Sequence, residues 1–304
     1  MMRKRQRAVV RLVKSRIVLM ATISAALSLT GCIVHTKRLT PDQVMLPAET
    51  ISKPALLEKI KAASIAVKTL KITSSTLKVT QKISSDELKE IGKGAFSLAG
   101  VILVERPSKL RLDVNFSGIT GADLASDDRQ FKIYVPHKIN AFGTGSVAAP
   151  VGDVSFPCSL RPSHILDALF VDGEKYMNSP DVLTSRREQT EGIRSYYLID
   201  FIRKDGTAIQ ELWYDRTEKQ VTRKIEYAED GRPEADVKYS NYTTVNSIAF
   251  PKVIQINRPI EQYTLEMNIS EMIFNEAIPA EKFLLDKPAS ANDLDMKTCK
   301  TVKR

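Results

Sequence analysis

The sequence predicts a mainly β protein with a minor helical part (α+β): one amphipathic helix laid on a long antiparallel sheet. Three observations carry this. A single apolar stripe with helical spacing comes first, at Leu56, Ile60, Ala63, Val67 and Leu70. After it the hydrophobic period changes to two, most clearly where Leu110, Leu112, Val114 and Phe116 alternate with Arg111, Asp113, Asn115 and Ser117. Turn signals such as Lys204-Asp205-Gly206, Glu229-Asp230-Gly231 and Asn257–Pro259 then separate the alternating runs, so consecutive strands can pair as a meander. The 304 residues are 43% hydrophobic and 27% charged, which excludes wholesale disorder and a collagen-like fibre.

The elements follow in order. Residues 1–31 carry seven basic residues (Arg3, Lys4, Arg5, Arg7, Arg11, Lys14, Arg16) and no acid. Ile17–Leu29 is uncharged and shorter than the roughly twenty residues of a membrane-spanning helix. A basic region ahead of a short apolar run reads as an export signal. Its end, Leu29-Thr30-Gly31-Cys32, resembles the bacterial lipobox. That resemblance implies cleavage before Cys32 and acylation of its thiol, and several chains at about 0.8 kcal/mol per buried methylene anchor a protein stably. Ile33 rather than Asp after the cysteine points to the outer membrane. Residues 32–51, with Pro41 and Pro47, read as a tether.

Ser52 is the expected N-cap and Pro54 lies in the first turn. The folded domain is expected over 52–288. Beyond the runs already given, Tyr263, Leu265, Met267 and Ile269 alternate strictly. Weaker alternation marks Phe131–Val135, Tyr196–Ile202, Ile209–Tyr214, Val221–Tyr227, Val237–Tyr242 and Val253–Asn257. Ile165–Phe170 reads as a short helix, and 289–304 as a polar tail. Two helices are few for so many strands, so a strongly curved sheet would enclose apolar space that is only partly filled. A sandwich of two sheets would use the same pattern.

Two stretches resemble the LolA/LolB lipoprotein carrier and receptor superfamily. They are Val104-Glu105-Arg106-Pro107-Ser108-Lys109-Leu110-Arg111-Leu112 and Leu124–Pro136, with its Ser126-Asp127-Asp128-Arg129-Gln130-Phe131-Lys132-Ile133-Tyr134-Val135-Pro136. Glu211-Leu212-Trp213-Tyr214-Asp215 and Asn275–Phe283 are similar to its late strands and ending. The resemblance implies an unclosed antiparallel half-barrel, with an N-terminal helix and a short lid helix over its concave face, around a cavity for acyl chains. It implies that Arg106 sits at the cavity mouth and bonds lid backbone. A guanidinium suits that task because it presents several fixed donors. Asp128 stands where the family often has Gly. An anchored Cys32 fits the receptor type better than a soluble carrier.

The expected function is a membrane-anchored lipoprotein, facing the periplasm, that binds lipid or lipoprotein acyl chains. The alternative is an assembly lipoprotein with a filled core that scaffolds a partner. The expected cavity and lid residues are Arg106, Leu110, Leu112, Val114, Phe116, Trp213, Leu265 and Met267. Cys158 and Cys299 could pair in an oxidising periplasm or stand as unrelated thiols. His35, His137 and His164 have no partners at ligand spacing, so no metal or cofactor is expected. No catalytic set is evident: Ser75-Thr76-Leu77-Lys78 matches a penicillin-binding motif only as a string. Removing seven basic residues from 45 leaves 38 against 36 acidic, too even a balance for nucleic-acid binding. Oligomeric state is not readable.

Overall fold

Ser52 starts the first helix, α1 (Lys53–Ile65): its Oγ accepts from the Ala55 amide at 3.4 Å, and Pro54 occupies the first turn. The computed structural model describes residues 47–81, 96–116, 119–136, 139–149, 154, 157–172 and 174–302, all within the unit Leu46–Arg304. The export signal, Cys32, His35 and His137 lie outside the described residues. The apolar stripe read as one helix crosses an element boundary. Leu56 and Ile60 are buried on α1, Ala63 is exposed, and Leu70 already belongs to the first strand. Asn275 makes the break. Its amide donates to Ala66 O at 2.8 Å and its Oδ1 accepts from the Lys68 N–H at 2.8 Å, so helix end and strand start share one capping side chain.

The strands are β1 (Thr69–Gln81), β2 (Phe96–Glu105), β3 (Lys109–Phe116), β4 (Ile119–Ser126), β5 (Gln130–Val135) and β6 (Ala141–Ser146). Helices α2 (Pro162–Leu169) and α3 (Glu174–Met177) follow. Then come β7 (Val182–Glu191), β8 (Arg194–Arg203), β9 (Ala208–Asp215), β10 (Gln220–Tyr227), β11 (Pro233–Val245), β12 (Ile248–Arg258) and β13 (Tyr263–Phe274). A 3-10 turn (Ala280–Phe283), β14 (Asn292–Asp295) and β15 (Lys300–Val302) close the order. Among the described residues all strands belong to one sheet, so the sandwich is not formed. Two meanders, β1–β6 and β7–β13, are sewn together by the antiparallel pair β1–β13. The sheet ends at β7 and β15 and is open rather than closed into a barrel.

The contacts of α2 require the sheet to curl. At its N-terminus the Arg161 guanidinium lies 5.3 Å from the Phe131 ring on β5. Six residues on, the Asp167 carbonyl accepts from Lys224 Nζ on β10. Those strands are eight places apart in the sheet, about 38 Å on a flat one. About 9 Å of helix with two side chains bridges them only if the sheet is strongly bent. Leu56 and Ile60 of α1, and Ile165, Ala168 and Leu169 of α2, share one buried cluster with Leu70, Ile72, Ile102, Val104, Leu110, Ile254 and Met267 of the strands. Both helices therefore cover the same apolar face.

The segment expected as a polar tail differs from that reading. It carries β14, parallel to β6, and β15. Leu294 and Met296 join the main cluster. Ala291 packs with Ala125, Phe142 and Leu285 of the domain in a second, smaller one. Polar residues dominate this segment because it forms a sheet edge, where little apolar surface is needed.

Candidate ligand cavity

Between α1, the end of α2 with the strap Phe170–Val171 after it, and strands β9–β12 lies a cavity of about 340 Å³. This is the low end of the range for small-molecule sites, roughly 300–1,000 Å³. Its apolar wall is Ile60 and Val67 beside α1, Phe170 and Val171 from the strap, and Val221, Ile248 and Phe250 from the sheet. Ala62, Ala63 and Ala66 also line it and are exposed, so it opens to solvent past small side chains. Tyr239 and Tyr242 both line it although three residues apart on β11. Asn241 between them has φ 55°, a left-handed residue that takes the strand out of strict alternation.

Each end of the roof is held by polar contacts. At one end, Lys59 Nζ donates to Tyr214 Oη at 2.6 Å and to the Glu49 carboxylate at 3.2 Å, and Tyr214 Oη donates to Glu49 Oε2 at 2.6 Å. The Tyr214 hydrogen bond, helped by Lys59, holds the Glu49 carboxyl below the usual range, while burial and Glu49 push the Tyr214 hydroxyl up. Arg216 Nε donates to Glu49 O at 2.9 Å. The last residues of the expected tether are thus bound to the domain.

At the other end, Arg106 Nη1 donates to Ser64 O at 2.6 Å, near the C-terminus of α1. Its Nη2 donates to Asp172 Oδ2 at 2.7 Å, and its guanidinium lies 4.9 Å from the centroid of the Phe170 ring. Ser64 and Phe170 are cavity residues. One side chain on the β2–β3 turn therefore joins the two roof elements to each other and to the sheet.

Beneath α2 the attachment is polar as well. His164 Nδ1 is 2.7 Å from Tyr263 Oη. Burial, reinforced by the nearby Arg258 and Arg161 charges, holds this imidazole neutral, its pKa pushed down to about 2. Lys224, 1% exposed, pairs with Glu226 at 3.0 Å. A disulfide joins Cys158, in the loop before α2, to Cys299 between β14 and β15, with Cα atoms 5.7 Å apart. Among the described residues no group of three or more His, Cys, Asp or Glu is arranged to hold a metal ion.

Of the residues expected to line the cavity, Arg106 alone stands at its edge. Leu110, Leu112, Val114, Leu265 and Met267 are buried on the helix-covered face but belong to packed core around β1–β3 and β13, and none lines this cavity. The Phe116 side chain lies outside the described residues. Trp213 is a correction. Its strand neighbours Leu212 and Tyr214 are in the core, so alternation turns Trp213 to the opposite face. There it packs edge-on against Tyr196, with ring centroids 5.4 Å apart, under the Arg223 guanidinium at 5.3 Å. Sequence reasoning missed Lys59, Ser64, Phe170, Val221, Tyr239 and Phe250. Their strands and helices were readable, but which of them surround empty space depends on pairing between distant segments.

No family model matches the chain, and no curated protein matches it in sequence. Solved structures do. A DUF1329 family protein from Desulfovibrio piger is 12% identical, with a TM-score of 0.53 over 75% of this chain and 94% of that one. A domain from Vibrio parahaemolyticus assigned to outer membrane lipoprotein sorting is 10% identical, with a TM-score of 0.51 over 75% and 94%. A LolA superfamily protein from Nitrosomonas europaea aligns at 12% identity and a TM-score of 0.48 over 78% and 99%. The chain shares the fold of the Desulfovibrio and Vibrio proteins.

Proposed function

We propose that this protein is a membrane-anchored lipoprotein that holds lipid or lipoprotein acyl chains in its cavity, within lipoprotein or lipid trafficking at the outer membrane. The observation that carries the reading is the cavity itself: an apolar wall, a roof of two separate elements, and a mouth opening past small side chains. Hydrocarbon entering it leaves water, which is favourable in proportion to the area buried and needs no specific polar contact. The Arg106 contacts join the roof without covalent bonds, so breaking them opens a path for cargo. Three features of the sequence support the anchor: the basic start, the short apolar run and Cys32. The fold is shared with the Vibrio domain assigned to lipoprotein sorting.

The test is made on the protein expressed in a Gram-negative host fed labelled palmitate and extracted in mild detergent. Label is expected in the wild type and absent from Cys32→Ser. Native mass spectrometry is expected to show a bound lipid that organic solvent removes. A protein that takes no label and carries no lipid contradicts the proposal.

A further inference from the structure

The charges on the cavity wall are of one sign. Among the described residues that line it are two lysines, Lys59 on α1 and Lys219 in the turn between β9 and β10, and no aspartate or glutamate. Both are accessible: the Lys59 side chain is 39% exposed, and Lys219 is an exposed residue. They stand at one end of the cavity, because both, after the Tyr214 hydrogen bond, help hold the Glu49 carboxyl below its usual range. Lys59 binds that carboxylate at 3.2 Å.

Lys219 is in no ion pair among the described residues. The acids of its own turn are engaged elsewhere: Asp215 and Glu218 both accept from Arg194, at 3.0 and 2.6 Å. Its φ of 58° is in the left-handed region, which glycine or asparagine enters more easily. Backbone geometry therefore does not call for lysine here. The acids close to Tyr239 on the sheet wall, Glu226 and Asp167, are themselves faced by Lys224 and Lys175, with Lys224 and Glu226 3.0 Å apart. The rest of the wall is apolar, and Val67 lies about 12 Å along the helix direction from Lys59, at 1.5 Å per residue. At roughly 30 Å³ per water-sized group, 340 Å³ holds on the order of ten such groups, the scale of one hydrocarbon chain.

Resting on the reading of the cavity as an acyl site, we infer that it selects a single acyl chain with an anionic head: Lys219, with Lys59 beside it, pairs with a carboxylate or phosphate while the tail lies toward Val67 and Phe170. An ammonium is a compact point charge that serves either anion. The neutral esters and amides of an acylated cysteine gain nothing from this contact. Of the two cargoes, the lysines favour a lipid over a lipoprotein.

The experiment is displacement of the neutral fluorophore N-phenyl-1-naphthylamine from the purified protein by lauric acid, dodecyl phosphate or methyl laurate, below their micelle concentrations and at a pH where the acid is ionised. It is run on the wild type at low and high salt, and on Lys219→Gln at low salt. At low salt at least one anion is expected to outcompete methyl laurate on the wild type, and the stronger of the two identifies the head as carboxylate or phosphate. Lys219→Gln is expected to weaken that anion about two- to fivefold, the scale of one exposed ion pair, and to leave methyl laurate unchanged. High salt is expected to shrink the preference on the wild type. Methyl laurate binding as tightly as both anions, or an anion preference that neither Lys219→Gln nor salt reduces, overturns the inference while leaving the acyl site standing. No uptake of the fluorophore by the wild type and no binding of any competitor overturns both.

Discussion

Arg106 does the most with one side chain. It satisfies a carbonyl near the end of α1, pairs with Asp172 and covers Phe170. Hydrogen bonds to a charged group contribute about 1.5–3 kcal/mol each, less at this partly exposed site. Arg106→Gln is expected to lower the unfolding free energy by about 1–2 kcal/mol and to speed release of a bound acyl probe in stopped-flow. An unchanged release rate would separate Arg106 from the roof. Asp123 makes a second residue-scale prediction. It pairs with Arg111 and sits opposite Asp113 across β3–β4. Burial outweighs Arg111 and raises its carboxyl to about 6 from the ordinary 3.8. The folded state then holds this proton more tightly than the unfolded state. Its stabilising effect is complete below about pH 4 and fades as pH rises through 6. The urea midpoint of the wild type, relative to Asp123→Asn, should fall between pH 4 and 6. A difference independent of pH would contradict the assignment.

Among the elements, β1 shows what a sequence hides. It joins the two meanders, yet its inward residues change phase. Leu70 and Ile72 are buried, then Ser75, Leu77 and Val79. Register shifts between Ile72 and Ser75 mark a bulge, and an extra residue reverses the alternation that sequence reading relies on. Ser75 Oγ closes the bulge on Gly100 O at 2.8 Å. A Cβ at Gly100 would come within 1.9 Å of Leu77 Cδ1, so any larger residue there has to push the buried Leu77 side chain aside. Strands such as β3, β5, β9 and β13 were legible because their faces stay distinct. Edge strand β7 was not, because sheet edges are built from polar residues. The loop before α2 is linked to the β14–β15 edge by Cys158–Cys299, 141 residues apart. Closing so long a loop stabilises by about 2–5 kcal/mol. Reduction, or Cys158→Ser with Cys299→Ser, is therefore expected to lower the melting temperature. An unchanged melt under reducing conditions would show that the link adds no stability.

For the whole molecule, the curl of the sheet is the property that matters. It brings β5 and β10 under one short helix and leaves the α1 side of β9–β12 hollow. The sequence foretold an under-covered apolar face but placed the hollow along the strand stripes of Leu110, Leu112, Val114, Leu265 and Met267. Those residues are buried in the main core and do not line the cavity. Periodicity shows which face of a strand is apolar. Whether that face meets a neighbour or a void depends on strands far apart in sequence. The central claim, that this void holds hydrocarbon, is tested most directly by filling it. N-phenyl-1-naphthylamine is titrated into the purified protein and into Ala63→Phe, whose added ring fills the mouth of the cavity one helical turn from Ile60. Saturable binding to the wild type and its loss in a variant with an unchanged urea midpoint is the result expected. Equal binding by the two proteins would contradict the account.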